Sequence, residues 1–424
     1  MFEKATTNEC RMKIAESFGY YLRAFGEEKA LPFENVKFKN GCFFPEADSN
    51  GEGADPDEEQ RKFDEAEAKS WSYQPPRDEA DYIDKPENLN ILYAILTHGQ
   101  ANETIRLINT LHEDGHTFVI HVDGKEIADG THRELSEFAS TRSYVHVLPD
   151  EYRVRVNWGG FTMVNATLQV MRYALAIDRP DLEPLDFHKF VHMSATAYPI
   201  KSNKRIRQTL SEYPIDANLF WVLGKPTSPH EEAWHYFVEC DDAVHRIYRM
   251  PPKRWENSGI DIMTSSQWFI ASRDFVHYLA EAKPGTFAYE YTQYTEHVIV
   301  ADEQYFGTIL RHTEFCHKHH NTNYLFLEFG EWENFMHNDT ESRDARKCLM
   351  PDPERCGRSP KTITKERILG LDIEEIKDLF GRKVGPFHSA AICLSLNFYC
   401  PHNSHFQFSQ IIPDPPQLVF SRGT

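Results

Sequence analysis

From residue 89 onward, short apolar runs alternate with stretches whose apolar residues recur every three or four positions. No other feature of the chain constrains its fold so tightly. Residues 89–97, LNILYAILT, form a continuous apolar run, as expected of a buried parallel strand. Residues 102–113 then place Ile105, Ile108 and Leu111 or His112 on one helical face. FVIHV at 118–122 predicts a second strand, and Thr131-His132-Arg133-Glu134 has the form of a capping box opening a helix through Phe138. A third strand is expected at 144–148. A long helix follows at 162–176, with Val164, Leu168, Met171 and Leu175 aligned. A strand at 187–193, a helix at 202–213 and a strand at 218–223 continue the pattern. This alternation predicts an α/β fold with a Rossmann-type sheet flanked by helices. In such sheets ligands bind beyond the carboxyl ends of the strands. The candidates there are Thr97, His98 and Gly99, then His121 to Asp123, then Met193, Ser194 and Ala195.

What precedes residue 89 reads differently. An amphipathic helix is expected at 12–24, with Ile14, Phe18, Tyr21 and Leu22 at helical spacing. Residues 46–88 are acidic and nearly free of aliphatic side chains, which predicts a largely disordered linker. The expected organisation is an N-terminal helical extension at 1–45, the linker at 46–88 and one catalytic domain at 89–424. The net charge of −19 argues against a nucleic-acid partner, although much of that acidity is concentrated in the linker. No run of 18 apolar residues predicts a membrane span, and Met1-Phe2-Glu3-Lys4 lacks the form of a signal peptide. Three sequons, at Asn102, Asn165 and Asn338, are weak pointers to a secretory route. Eight cysteines include no C-x-x-C pair. Cys348 and Cys356 flank a proline-rich loop and either close it as a disulfide or remain two buried thiols.

The motifs narrow the chemistry by elimination. The turn after the first strand, Thr97-His98-Gly99-Gln100, has no G-x-G-x-x-G, and neither a P-loop nor a G-x-S-x-G elbow occurs. Dinucleotide enzymes, P-loop enzymes and α/β-hydrolases lose their main support. Asp123 ends the second strand, where it either contacts a ligand or is a satisfied turn aspartate. Trp158-Gly159-Gly160 offers an aromatic face and a closely approachable backbone, suited to stacking a base or sugar; a core tryptophan is the bland alternative. Asp302-Glu303 opens a helix with Phe306, Ile309 and Leu310 on its apolar face, so these acids either cap it or act as a base. Arg382-Lys383 follow a predicted helix and either pair with its dipole or clamp a diphosphate. Cys316-His317-Lys318-His319-His320 resembles a metal cluster, but its spacing fits no zinc pattern cleanly. No metal site is expected.

Taken in order, the segments ILYAILTH, FVIHVD, VRVNWGGFTMVNATLQVMRYAL, FHKFVHMSATAYPIKSN, SSQWFIASRDFVHYL, ADEQYFGTIL, KCLMPDPERCGRSP and LFGRK resemble one family. They are similar to the core-2/I-branching β-1,6-N-acetylglucosaminyltransferases and their peptide O-xylosyltransferase relatives. The resemblance implies a GT-A-like fold that works without the D-x-D metal site. The only D-x-D here, Asp55-Pro56-Asp57, lies in the linker. It implies a single inverting displacement with a UDP-sugar donor and a glycan or glycoprotein acceptor, and no further cofactor. Glu303 matches the family's base, with Asp302 the secondary candidate, and Arg382 and Lys383 match the diphosphate clamp. His98, Asp123 and Trp158 would line the nucleotide side. Ser194, Tyr198, Trp268 and the segment carrying Glu231, Glu232 and Trp234 would shape the sugar and acceptor cleft.

There are two departures from the pattern. Where xylosyltransferases carry an aspartate before the aromatic of G-S-D-W-F, this chain has Gln267, which favours N-acetylglucosamine over xylose as donor. Family members are type II Golgi membrane proteins; a Golgi or secretory-lumen location is expected, although no anchor is seen, so membrane association would need one outside this chain. The rival readings are a catalytically inactive relative serving as a glycan- or nucleotide-binding module, and a cytosolic nucleotide-binding protein built on the same sheet.

Overall fold

Strands β1 (Ile91–Thr97), β2 (His116–Val122), β3 (Val145–Val147) and β4 (Lys189–Ser194) run parallel side by side in the order β3-β2-β1-β4. Continuous apolar sequence produces this arrangement because both faces of each strand are covered. Ile91, Tyr93 and Ile95 of β1 point into one core, while Leu92 and Ala94 point into the other. The computed structural model describes residues 5–26, 81–99, 101–224, 235–249, 262–328, 332–333, 347–348, 360, 362–363 and 375–384.

One core packs the helices Thr162–Ala174, Arg273–Ala280, Phe287–Thr295 and Tyr305–Arg311 under the sheet; the other packs Ala101–Leu111 and Asn203–Ser211 above it. Between Ser194 and the second helix layer the chain forms β5 (Ala197–Pro199). Strands β6 (Asn218–Leu219) and β7 (Val222–Gly224) occupy the stretch expected as a single strand. At the break, Phe220 N–H still donates to His320 O at 3.1 Å as a rung of the β6–β12 pair, whereas Val222 N–H donates to the side-chain oxygen of Asn321 at 2.8 Å instead of to strand backbone.

Strands β8 (His235–Cys240) and β9 (Ala243–Arg249) form an antiparallel hairpin. Its two turn residues, Asp241 and Asp242, have φ of 53° and 54°, the left-handed pair that matches strand twist in a two-residue turn. Next, β10 (Thr264–Ser265) pairs with β7, while β11 (Ile270–Ser272) enters the main sheet antiparallel to β4 and β6. Strand β12 (His319–His320) closes that sheet, giving seven strands in the order β12-β6-β11-β4-β1-β2-β3. A three-stranded sheet combines β13 (Leu325–Leu327) and β16 (Phe380–Arg382) with β5, and β14 (Trp332–Glu333) pairs with β15 (Lys347–Cys348).

The α/β architecture expected from the alternation is the one observed. The capping box is not. A 3-10 turn at Glu126–Ala128 runs straight into the helix Asp129–Ala139, so Thr131 already lies inside the first turn and no side chain caps the N-terminus. At the N-terminus the helix Asn8–Gly26 packs Cys10 and Ile14 against Val238 and Ile247 of the hairpin, and Cys10 is disulfide-bonded to Cys240. Among the described residues, no helix is long and apolar enough to cross a membrane.

Candidate active site

The strand order reverses direction between β1 and β4, and this switch point marks the crevice where an α/β sheet receives ligands. Beyond β4, Ser194 Oγ shares a hydrogen bond of 2.9 Å with Thr196 Oγ1, and the chain turns into β5. Register places Arg382 of β16 opposite Ala197 of β5. A residue almost 190 positions later in the chain thereby arrives at the carboxyl end of β4. Ser194, Trp268 and Arg382 line one small pocket there, with His192 and Asn323.

The Arg382 guanidinium lies 4.8 Å from the Trp268 ring centroid, in cation–π range. Burial lowers Arg382 to about 10, while the Asp302 and Glu303 carboxylates favour its charge, so it is a cation at neutral pH. Its Nε has no hydrogen-bond partner. A buried donor left unsatisfied in this way is a group available to a ligand. Lys383 follows, half-buried, its carbonyl accepting from Ile363 N–H at 2.7 Å. Arg382 ends strand β16 and Lys383 directly follows it.

Asp302 and Glu303 lie on a 3-10 turn, Ala301–Glu303, directly before the helix Tyr305–Arg311. The turn separates their environments. Asp302 is 4% exposed and its Oδ1 has no partner, while Glu303 is exposed. Burial raises Asp302 to about 7; the neighbouring Glu303 charge pushes the same way and Arg382 opposes both. Val300, at the head of the turn, has φ of 55°, a strained conformation for a β-branched residue. It is held by its N–H donating to Gly159 O at 2.7 Å, and its own carbonyl accepts Glu303 N–H at 3.2 Å.

The residues expected on the nucleotide side form a second group. His98 is exposed in the turn after β1. Asp123 is a satisfied turn aspartate, its Oδ1 accepting Lys125 N–H at 2.9 Å and Val156 N–H at 3.3 Å. Trp158 is 70% exposed, so the core-tryptophan alternative does not hold and its ring is open to a stacking partner. The two glycines beside it serve the protein itself. A Cβ on Gly160 would overlap the Glu239 carboxylate, and Gly159 abuts Ile299.

Tyr198 requires a correction. It is buried, with a 2.6 Å hydrogen bond between its hydroxyl and Thr110 Oγ1, beneath the helix Ala101–Leu111 and away from the pocket. Strand alternation explains this, since Ala197 and Tyr198 point to opposite faces. Glu231, Glu232 and Trp234 lie outside the described residues, as do Asp55 to Asp57, Cys356 and the side chain of Cys348. In the 316–320 segment, Cys316 is disulfide-bonded and His319 Nε2 is hydrogen-bonded to Phe220 O at 2.9 Å.

Residues 91–363 match the sequence model of the family described as Branch, Core-2/I-Branching enzyme. The chain belongs to the core-2/I-branching enzyme family. Xylosyltransferase 1 of Rattus norvegicus is 27% identical over 245 residues, 56% of this chain and 28% of its own length. Xylosyltransferase 2 of Homo sapiens is 27% identical over 300 residues, 70% of this chain and 32% of its own length. The chain thus spans under a third of each of these relatives. Among solved structures, the mannosyltransferase Ktr4p from S. cerevisiae has a TM-score of 0.29 at 12% identity, over 63% of this chain and 74% of that one, too slight a likeness to carry weight. The family match includes His98, Asp123, Trp158, Ser194, Trp268, Asp302 and Glu303; Arg382 and Lys383 lie beyond it and return to the site through β16.

Two site residues were not anticipated. His192, buried one turn of the pleat before Ser194, is neutral, lowered to about 3 by burial. It shares hydrogen bonds with Gln267 O at 3.0 Å and Thr167 Oγ1 at 3.1 Å, and packs on Trp268 with ring centroids 4.9 Å apart. Asn323 Nδ2 donates to Trp268 O at 3.0 Å. Together they fix the ring over which Arg382 lies. The only sequence signal was the shared parity of His192 and Ser194 on one strand face.

Proposed function

We propose that this chain is a metal-independent, inverting glycosyltransferase that moves N-acetylglucosamine or xylose from a UDP-sugar to a hydroxyl of a glycan or glycoprotein. The observation that carries the reading is that Arg382, stacked on Trp268 in the pocket at the sheet's switch point, is within electrostatic reach of the Asp302 and Glu303 carboxylates. Glu303 is exposed and can meet an acceptor; Asp302, buried beside it, is the poorer candidate for base. Glu303 takes the proton as the acceptor oxygen attacks the anomeric carbon from the face opposite the diphosphate. The bond from that carbon to the phosphate oxygen breaks, and UDP leaves. Arg382 and Lys383 stabilise the charge that develops on the departing diphosphate, the role a metal plays elsewhere. Trp158 offers a face for the nucleotide, with His98 and Asp123 near the same strand ends, and Ser194 and Trp268 contact the sugar. The names of the relatives favour xylose, whereas Gln267 in place of a carboxylate favours N-acetylglucosamine. The Cys10–Cys240 disulfide supports an oxidising secretory compartment.

The test is UDP release from UDP-N-acetylglucosamine and UDP-xylose in excess EDTA, for wild type and Glu303→Gln. Turnover that survives EDTA and drops by about 10²-fold or more in the variant is expected. Activity lost in EDTA and restored by manganese would remove the cation-clamp mechanism. UDP binding without turnover of either donor would favour an inactive glycan- or nucleotide-binding module.

A further inference from the structure

The β8–β9 hairpin contributes no residue to the proposed reaction, yet it grips the 157–162 loop and the chain that leads into the Asp302–Glu303 turn. Glu239 makes the first grip. Its Oε1 accepts Asn157 Nδ2–H at 2.9 Å and the Thr162 hydroxyl, and its Oε2 accepts Thr162 N–H at 3.2 Å. The helix Thr162–Ala174 has no side-chain cap of its own, so a carboxylate from a distant hairpin supplies the charge its N-terminus favours. The loop fastened this way contains Gly159, whose carbonyl receives the Val300 N–H. The second grip is on the other side. Phe237 N–H donates to His297 O at 3.0 Å, His297 Nδ1 is hydrogen-bonded to Phe237 O at 3.0 Å, and Tyr236 stacks on the His297 ring at 4.1 Å. Val300 therefore has its hydrogen-bond acceptor and its preceding chain fixed by one hairpin.

The hairpin is itself anchored at each residue of its tip. Cys240 is bonded to Cys10, and Lys13 Nζ donates to Glu239 O at 2.9 Å. Asp241 Oδ2 accepts the Thr6 and Thr7 amides at 2.6 and 2.9 Å, and Asp242 receives two bonds from Arg155 at 3.0 and 2.6 Å.

We infer that Glu239 is a positioning residue for the Asp302–Glu303 turn, acting through the 157–162 loop and Val300. The inference rests on reading that turn as catalytic. A left-handed valine persists only where its surroundings over-determine it. Releasing Gly159 lets Val300 relax and carries Glu303 with it, and displacements of about 1 Å cost on the order of 10²-fold in rate.

The experiment compares Glu239→Ala and Glu239→Gln in the full chain by hydrogen–deuterium exchange, UDP calorimetry and steady-state kinetics. The alanine variant should speed exchange at both 157–162 and 297–306 and lower kcat by about 10- to 100-fold, with KM and UDP affinity held within about twofold. Glutamine keeps the Oε1 acceptor for Asn157 and the Thr162 hydroxyl, and should recover kcat to within about tenfold of wild type. Should the alanine variant not fold, Asn157→Ala removes one of the three bonds and is read in the same way. Faster exchange at 157–162 with none at 297–306 would reduce Glu239 to a helix cap and overturn the inference, as would a loss confined to KM. If the wild type turns over no sugar, the catalytic reading fails while the exchange at 297–306 still decides whether the hairpin holds the turn.

Discussion

Asp302 and Glu303 are adjacent in sequence yet differ chemically because one 3-10 turn buries the first and exposes the second. For Asp302 the folded value of about 7 exceeds the ordinary 3.8, so the folded state holds its proton more tightly than the unfolded chain. That stabilisation is fully present below pH 3.8 and is lost as pH rises through 7, where a charge is forced into a buried site. Asp302→Asn abolishes the titration. Its stability advantage over wild type should therefore grow by about 2–3 kcal/mol between pH 5 and pH 8, read from urea unfolding at both pH values. A constant difference would mean that Arg382 already holds Asp302 ionised at pH 5. At this scale the sequence was a partial guide. Asp302, Glu303, Arg382 and Lys383 stood out as charges beside apolar runs, but the arrival of Arg382 at the carboxyl end of β4 depends on β5–β16 register, which no local pattern encodes. Tyr198 was misplaced for a related reason. A tyrosine in a conspicuous turn looks like a ligand contact until the partner of its hydroxyl, Thr110 on another helix, is seen.

At the scale of elements, the Asp302–Glu303 turn depends on a short helix with no exposed side. All seven residues of Tyr305–Arg311 are buried, and Gly307 lets β10 pass against it. A Cβ at Gly307 would stand 2.6 Å from Ser265 Oγ and 2.7 Å from Ser265 Cβ. Gly307→Ala should destabilise the protein by about 1–3 kcal/mol through overpacking, despite the better helix propensity of alanine. Adding Ser265→Gly should recover part of that loss in a double-mutant cycle by thermal unfolding; additive effects would show that the clash is relieved elsewhere. The parallel strands were legible because burial on both faces imposes unbroken apolar runs. The division of 218–223 into two strands was not, since Val222 N–H leaves the ladder for the side chain of Asn321, about a hundred residues away. The capping box failed for the converse reason: a preceding 3-10 turn started the helix before the motif could act.

For the whole molecule, the N-terminal helix is the element least anticipated in its role. Its amphipathic spacing was readable, but its partner was not, because Cys10 and Cys240 are 230 residues apart and neither lies in a recognisable cysteine motif. Their bond closes a loop that spans β1 through β8, and therefore most of the parallel sheet. In the unfolded chain such a long closed loop is a substantial restriction; in the folded chain it costs little, since Cys10, Ile14, Val238 and Ile247 already pack together. Replacing both cysteines by serine should lower unfolding free energy by about 2–4 kcal/mol, with the larger part of the change in the unfolded ensemble. The same variant separates anchoring from positioning. If the hairpin is held chiefly by its hydrogen bonds to Thr6, Thr7 and Arg155, global stability falls while exchange at 297–306 stays slow. If the disulfide carries the hairpin, both change together, and hydrogen–deuterium exchange at 235–249 should rise with them. A double variant whose stability equals that of the wild type would show that the unfolded chain is already restricted by other means, and that packing and the hydrogen bonds to Glu239 and Asp241 suffice to hold the N-terminal helix.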